Sequence, residues 1–272
     1  MTSRLAFVAP NLRGPFAAGI RDRLAKLHHH ALMLRLATDD PKRQREVLRA
    51  LVKNGSQIPT AIVCVSMSPD ADVIAAYRAL NVPFVTIDDE ANGAGSVSCD
   101  NFKGGYLAGR HLIERGHHKI AMISGRTSGP GSYNACQRRD GFRKALAESH
   151  VALLTIDCHE VTDYSQLEGA QWFSARPPDT TAVFCAAGDL CASGITKAAE
   201  GLKIDIPREL AIVSFDDAPI AQQTRPDLTT IRQPLKDMAE VAFRMACVEP
   251  TLTLSKPKHV LLAPELVVRG TT

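Results

Sequence analysis

Residues 181–217, TAVFCAAGDLCASGITKAAEGLKIDIPRELAIVSFDD, decide the architecture, because their polar groups fall where apolar runs end. Thr181 to Cys185 reads as a short strand, Leu190, Ile195, Ala198 and Leu202 recur at helical spacing, and Leu210 to Phe215 reads as a second strand. Such a βαβ unit has a right-handed crossover and parallel strands. Ligands of parallel sheets bind outside the carboxyl ends of the strands. Gly188 and Asp189 after the first strand, and Asp216 and Asp217 after the second, therefore stand where a small molecule would be held.

The same alternation continues outward in both directions. Toward the N-terminus, strands are expected at Arg4 to Ala9, Ala31 to Leu36, Thr60 to Val65 and Val82 to Ile87, the last ending in Asp88, Asp89 and Glu90. Helices fall between them, from Pro15 to about His28, from Pro41 to about Asn54 with Asp40 as cap, and from Pro69 to Leu80. The small, glycine-rich residues 91–95 and the short strand Val97 to Cys99 mark a candidate boundary near residue 98. A second series follows: helix Lys103 to Arg115, strand His118 to Ser124, helix Arg138 to Ser149, strand Leu153 to Asp157 and helix Ser165 to Ala175. Beyond the βαβ unit and the punctuation Arg225, Pro226, Asp227 come strand Leu228 to Ile231 and helix Leu235 to Cys247. Two short returning strands, His259 to Leu262 and Glu265 to Val268, close the chain. Two similar halves predict an α/β fold of two doubly wound parallel-sheet subdomains.

Composition narrows the function. The 272 residues suit two domains, and 45% hydrophobic with 22% charged residues is the balance of a soluble globular protein. Lys and Arg number 32 against 29 acidic residues and are scattered, so no nucleic-acid or membrane face is written into this stretch. Seven cysteines without a CxxC pair, several in apolar runs, predict buried reduced thiols and a cytoplasmic setting. No apolar run approaches transmembrane length, and the N-terminal run is too short for a signal peptide. GRTSGPGS at 125–132 lacks the lysine and spacing of a phosphate loop, and His28, His29 and His30 lack a supporting carboxylate or cysteine. No Ser–His–Asp or Cys–His set stands out, so neither catalysis, metal nor cofactor is expected.

Four stretches then carry a resemblance: VSCDNFKGGYLAGRHLIERGHHKIAMISG, RRDGFRKAL from Arg138, VSFDD ending at Asp217, and RPDLTTIRQPLKDMAEVAF. In this order they resemble the effector-binding domain of the lactose-repressor (LacI/GalR) family of transcription factors over nearly the whole chain. PNLRGPFAAGI and TDDPKRQREVLRAL are similar to the family's N-terminal pattern. The resemblance implies a periplasmic-binding-protein-like fold, two subdomains joined by three crossovers near Val97 to Asp100, Thr224 to Thr229 and Val248 to His259. It implies a division into 1–98 plus 229–250 and 99–228 plus 251–272, with a small sugar-like effector bound in the cleft and signalling by hinge motion. It also implies a homodimer whose operator DNA is met only through a helix-turn-helix. The chain as given begins at the first strand of the effector domain, so the expectation is a sensor domain without its DNA reader.

Residue by residue, the resemblance implies a ligand site of Asn11, Phe16, Asp88, Arg138, Tyr164, Gly188, Asp189 and Asp216. Arg138 stands three before Gly141, and its fork of donors suits two hydroxyls or a carboxylate; Arg139 is the competing residue. Asp216 matches the first strand-end aspartate, with a helix cap as its other reading and the fitter one for Asp217. Asp88, or Asp89 by a one-residue shift, matches the acidic contact of the N-terminal half. Tyr164 falls where an aromatic stacks on effector, or simply covers core. Gly188 before Asp189 departs from the family's asparagine–aspartate pair, which removes an amide and leaves room for a bulkier ligand. The turn Asn11 to Phe16, with Phe16 as an apolar wall, and the loop Arg126 to Tyr133 would complete the cleft. Two other classes share the fold: a solute-binding protein serving a transporter, which needs an export signal, and a sugar-modifying enzyme, which would turn its ligand over.

Overall fold

The computed structural model describes residues 4–10, 12, 14–27, 32–36, 40–53, 58–67, 69–89, 93–128, 132–150, 159–248 and 258–272. The chain divides into two units, Met1–Cys99 with Pro234–Leu262, and Asp100–Gln233 with Ala263–Thr272. In the first, β1 (Leu5–Ala9), α1 (Pro15–Leu27), β2 (Leu32–Leu36), α2 (Pro41–Lys53), β3 (Ala61–Val65), α3 (Ala71–Ala79), β4 (Phe84–Ile87) and β5 (Gly95–Cys99) are joined by the later α8 (Leu235–Phe243) and β11 (His259–Leu262). Asp40 caps α2 as expected, its carboxylate accepting from the Lys42 N–H at 2.9 Å. The strands form one parallel sheet in the order β11-β5-β4-β3-β1-β2.

Period-two alternation sends the strand residues of this sheet to two cores. Leu5, Phe7 and Ala9 meet Ile20 and Leu24 of α1 and Met238 and Ala242 of α8. Ala6 and Val8 meet Leu48 and Leu51 of α2 and Val73, Ile74 and Tyr77 of α3. Both faces are covered, which is why the strands read as unbroken apolar runs.

The second unit repeats the plan with α4 (Asn101–Glu114), β6 (Ile120–Gly125), α5 (Tyr133–Glu148), β7 (His159–Val161), α6 (Gln166–Ala175), β8 (Ala182–Cys185), α7 (Asp189–Gly201), β9 (Ala211–Asp216), β10 (Thr229–Arg232) and β12 (Glu265–Val267). Its sheet order is β12-β10-β9-β8-β6-β7, parallel except for β12 against β10. One core packs α4 and α5 through Leu112, Phe142 and Leu146 against Met122, Phe184 and Phe215. The other packs Trp172, Phe173 and Ile195 of α6 and α7 against Ile123, Val183 and Ile212.

Two expectations need correction. The expected division passes residues 229–250 to the first unit, yet Thr229–Arg232 hydrogen-bonds in parallel register with Val213–Asp216 and belongs to the second. The Arg225–Asp227 punctuation is a turn within that unit, and the chain leaves it only between Gln233 and Pro234. Likewise His259–Leu262 pairs with Ser96–Cys99 in the first unit, so the last passage comes between Leu262 and Ala263 instead of before His259. The strand expected at Leu153 to Asp157 lies outside the described residues.

Candidate functional site

In the second sheet β6 lies between β7 and β8, so the chain leaves it toward opposite edges. Such a reversal opens a crevice beyond the carboxyl ends of the strands. The side chains gathered there come from α4, α5 and the segments after β8, β9 and β10.

Arg138 projects from α5, its guanidinium carbon 3.7 Å from the centre of the Phe215 ring. Its Nε donates to Asn101 Oδ1 at 2.7 Å and its Nη1 to the Ala186 carbonyl at 2.9 Å. Asn101 in turn donates to Asn134 Oδ1 at 3.1 Å. Two of the five guanidinium donors are spent in orienting the group, and the stack on Phe215 fixes its plane.

Asp216 ends β9 beside this cation. Its Oδ1 accepts from Gln233 Nε2 at 2.7 Å, and a Cβ added to Gly188 would lie 2.9 Å from its Oδ2. Gly188 also holds a φ of +107°, a conformation side chains resist, so glycine here answers both the backbone and the neighbouring carboxylate. Burial raises the Asp216 carboxyl above the usual range, against the opposing pull of Arg138 and the Gln233 bond. Asp88, Tyr164 and Asp216 have φ of +66°, +57° and +108°, backbone states costly for non-glycine residues and concentrated at functional sites.

Asp189, 1% exposed, turns inward. It accepts from the Ser214 hydroxyl, from Thr230 Oγ1 at 2.8 Å and from the Ala218 N–H at 2.6 Å, tying α7 to β9 and β10. Burial, and then the charge of Asp216, push its carboxyl up to about 7. The folded protein thus holds this proton more tightly than the unfolded chain. The resulting stability is full below an ordinary aspartate's pKa of about 4 and is lost as pH rises through about 7. Thermal midpoints are therefore expected to fall across that window in the wild type and to fall less in Asp189→Asn, which cannot ionise; equal slopes would contradict the raised carboxyl.

Asp217 is no helix cap. Its carboxylate is held by Arg269 and Arg232, each at 2.6 Å, because the C-terminal segment returns beside β10. Arg139, the competing residue, pairs with its neighbour Asp140 at 3.0 Å. Tyr164 stands over Gly125 at the end of β6 and is 45% exposed.

The remaining expected residues lie in the first unit. Phe16, in the first turn of α1, packs half-buried against that unit's core. Asp88 follows β4 with its N–H donating to the Val97 carbonyl at 2.9 Å, while Thr86 Oγ1 donates to the carbonyl of Asp89. Asn11 lies outside the described residues. Arg138, Gly188, Asp189 and Asp216 thus form one cluster, to which the structure adds Asn101, Phe215 and Gln233. Phe215 was within reach of sequence reasoning, since alternation along VSFDD puts it on the sheet face that α5 covers; Asn101 and Gln233 carry no local signal. Among the described residues no group of three His, Cys, Asp or Glu could hold a metal, and no helix is long and apolar enough to cross a membrane.

A family profile described as periplasmic binding protein-like domain matches residues 110–272. The HTH-type transcriptional regulator DegA of Bacillus subtilis is 31% identical over 282 residues, covering 100% of this chain and 81% of DegA. The HTH-type transcriptional repressor PurR of Klebsiella pneumoniae is 30% identical over 253 residues, covering 88% of this chain and 70% of PurR. Among solved structures, the transcription regulator CcpA of Lactococcus lactis superposes with a TM-score of 0.83 at 23% identity, covering 100% of both chains. A LacI family regulator from Enterococcus faecium with bound ribose gives 0.82 at 22% identity, covering 99% of this chain and 98% of its own.

Proposed function

The chain belongs to the LacI/GalR family of transcriptional regulators, as its periplasmic-binding-protein-like effector domain, and we propose that the strand ends of its second unit bind a small, uncharged effector rich in hydroxyls, a sugar or close derivative. The observation that carries this reading is the Arg138 guanidinium, held flat on Phe215 by Asn101 and Ala186, beside the buried carboxyl of Asp216. A fork of donors next to a carboxyl acceptor matches adjacent hydroxyls, each of which both donates and accepts. The Asp216 carboxyl beside the guanidinium supplies an acceptor that a hydroxyl can donate to and an anionic group cannot. Solved regulators with bound ribose, with glucose and with cellobiose support the sugar class.

Binding acts on transcription by favouring one conformation over another, to the extent that affinity differs between them. The reading includes a homodimer, whose symmetry suits two-fold operators, with DNA contact left to a helix-turn-helix of the kind named in PurR and DegA. Calorimetric titration with D-ribose, D-glucose and cellobiose tests the site. At least one is expected to bind, and Arg138→Ala should weaken it about 100-fold, the loss of two charge-assisted bonds. Wild-type protein that binds none of them, or an alanine variant that binds as tightly, would refute the sugar site.

A further inference from the structure

The loop ahead of α6 is gathered onto one carboxylate. Glu168 accepts from the Thr162 N–H at 2.8 Å, from the Thr162 hydroxyl at 3.0 Å, and from the N–H groups of Asp163 and Tyr164 at 3.0 Å each. It belongs to the first turn of α6, where its own N–H donates to Ser165 Oγ at 3.3 Å, and Asp163 Oδ1 accepts from the Ser165 N–H at 2.8 Å. Ser165–Gln166–Leu167–Glu168 has the spacing of a capping box, but the carboxylate reaches past the cap to three successive backbone donors. Amides converging on an ionised carboxylate form charge-assisted bonds, about twice as strong as neutral ones.

What this carboxylate holds in place is an aromatic ring. Tyr164 keeps a left-handed backbone, and a Cβ added to Gly125 would lie 2.3 Å from its Oη and 2.8 Å from its Cε1. The ring therefore rests on bare backbone at the end of β6, the strand where the sheet order reverses, yet Tyr164 is 45% exposed. A residue with nothing but entropy to gain from swinging away is pinned at both ends, by Glu168 through its amide and by Gly125 under its ring.

We infer that Glu168 is a positioning residue, which fixes Tyr164 as a stacking platform and so makes the site prefer ring-form sugars over their open-chain alditols. The inference rests on the sugar-effector reading. A ring sugar presents a flat face of C–H groups to an aromatic side chain, whereas an alditol offers the same hydroxyls without that face.

Two measurements test it together. Amide hydrogen exchange in Glu168→Gln should quicken at Thr162, Asp163 and Tyr164 and stay unchanged in the sheet. Titration with ribose, glucose and cellobiose, each beside its alditol, should show the bound sugar weakened about three- to tenfold by Glu168→Gln and the alditol unaffected. In a Tyr164→Ala background Glu168→Gln should cost nothing further, and Gly125→Ala, which displaces the ring from below, should repeat the sugar-specific loss. Unchanged exchange, equal losses for sugar and alditol, or a loss that persists without Tyr164 overturns the role given to Glu168. Wild-type protein that binds no sugar overturns the effector reading and the platform with it. Binding that Arg138→Ala abolishes and Glu168→Gln leaves untouched overturns the platform alone.

Discussion

Asp189→Ala is expected to lower the stability of the second unit by about 3–5 kcal/mol, the penalty for stranding buried donors. The carboxylate joins three segments distant in sequence, through Ser214 on β9, Thr230 on β10 and the N–H of Ala218 beyond β9. In the alanine variant the Ser214 hydroxyl can turn to the Thr229 carbonyl, 3.4 Å away. The Ala218 N–H and the Thr230 hydroxyl lose their acceptor, at about 1–3 kcal/mol each, and a small void adds to the loss. Urea unfolding followed by fluorescence reads this directly, because Trp172, the single tryptophan, lies in the core that α6 and α7 form on this sheet. Asp189→Asn should cost less, and least above pH 7, where the wild type has lost the stability that its raised carboxyl carries. Near pH 5 the wild type keeps that stability, since Asp189 with its carboxyl pushed up to about 7 is mostly protonated, and the amide replaces the acid's O–H and C=O with an NH2 donor and a C=O acceptor. An alanine variant as stable as wild type would mean that the three bonds contribute nothing, and would return Asp189 to the set of side chains open to effector.

The alternation of strand and helix was legible because both faces of each sheet are covered, so the central strands β1, β3, β4, β8 and β9 show as apolar runs, which Asp88, Gly188 and Asp216 end or follow. Asp216 could be singled out for that reason, and Arg138 and Tyr164 by resemblance. What Asp189 does was not legible. Its partners stand 25, 29 and 41 residues away, so a carboxylate that binds ligand and one that staples strand ends look alike in sequence. The passage between units was misplaced for a related reason. Pro226 and Asp227 punctuate the chain as a boundary would, but whether the next strand stays with its neighbour depends on the hydrogen-bond register of β10 against β9. Glu168 did carry a local signal, a serine three residues before a glutamate, which gives the helix start but not the loop wrapped around its carboxylate.

Gly141→Ala is expected to be among the most damaging single-methyl changes in the second unit, costing about 3 kcal/mol or more through overpacking. Where α4 crosses α5, a Cβ on Gly141 would lie 1.9 Å from the Phe102 carbonyl oxygen, and one on Gly105 would lie 1.9 Å from that of Arg138. Both obstacles are backbone, so neither can rotate away, and the helices must part by roughly an ångström. Parting them uncovers Phe142 and Leu146, which α5 buries against Met122 and Phe184. It also moves Arg138, less than one helical turn from Gly141, off the Phe215 ring and away from Asn101. Stability and sugar affinity should therefore fall together, whereas Arg138→Ala should lose proportionately more affinity than stability. Gly201→Ala supplies the contrast, since nothing lies within 4 Å of an added Cβ at the end of α7. There alanine should raise stability by about 0.5–1 kcal/mol through helix propensity. If the two substitutions gave similar unfolding midpoints, the close crossing of α4 and α5 could not be what sets the position of Arg138.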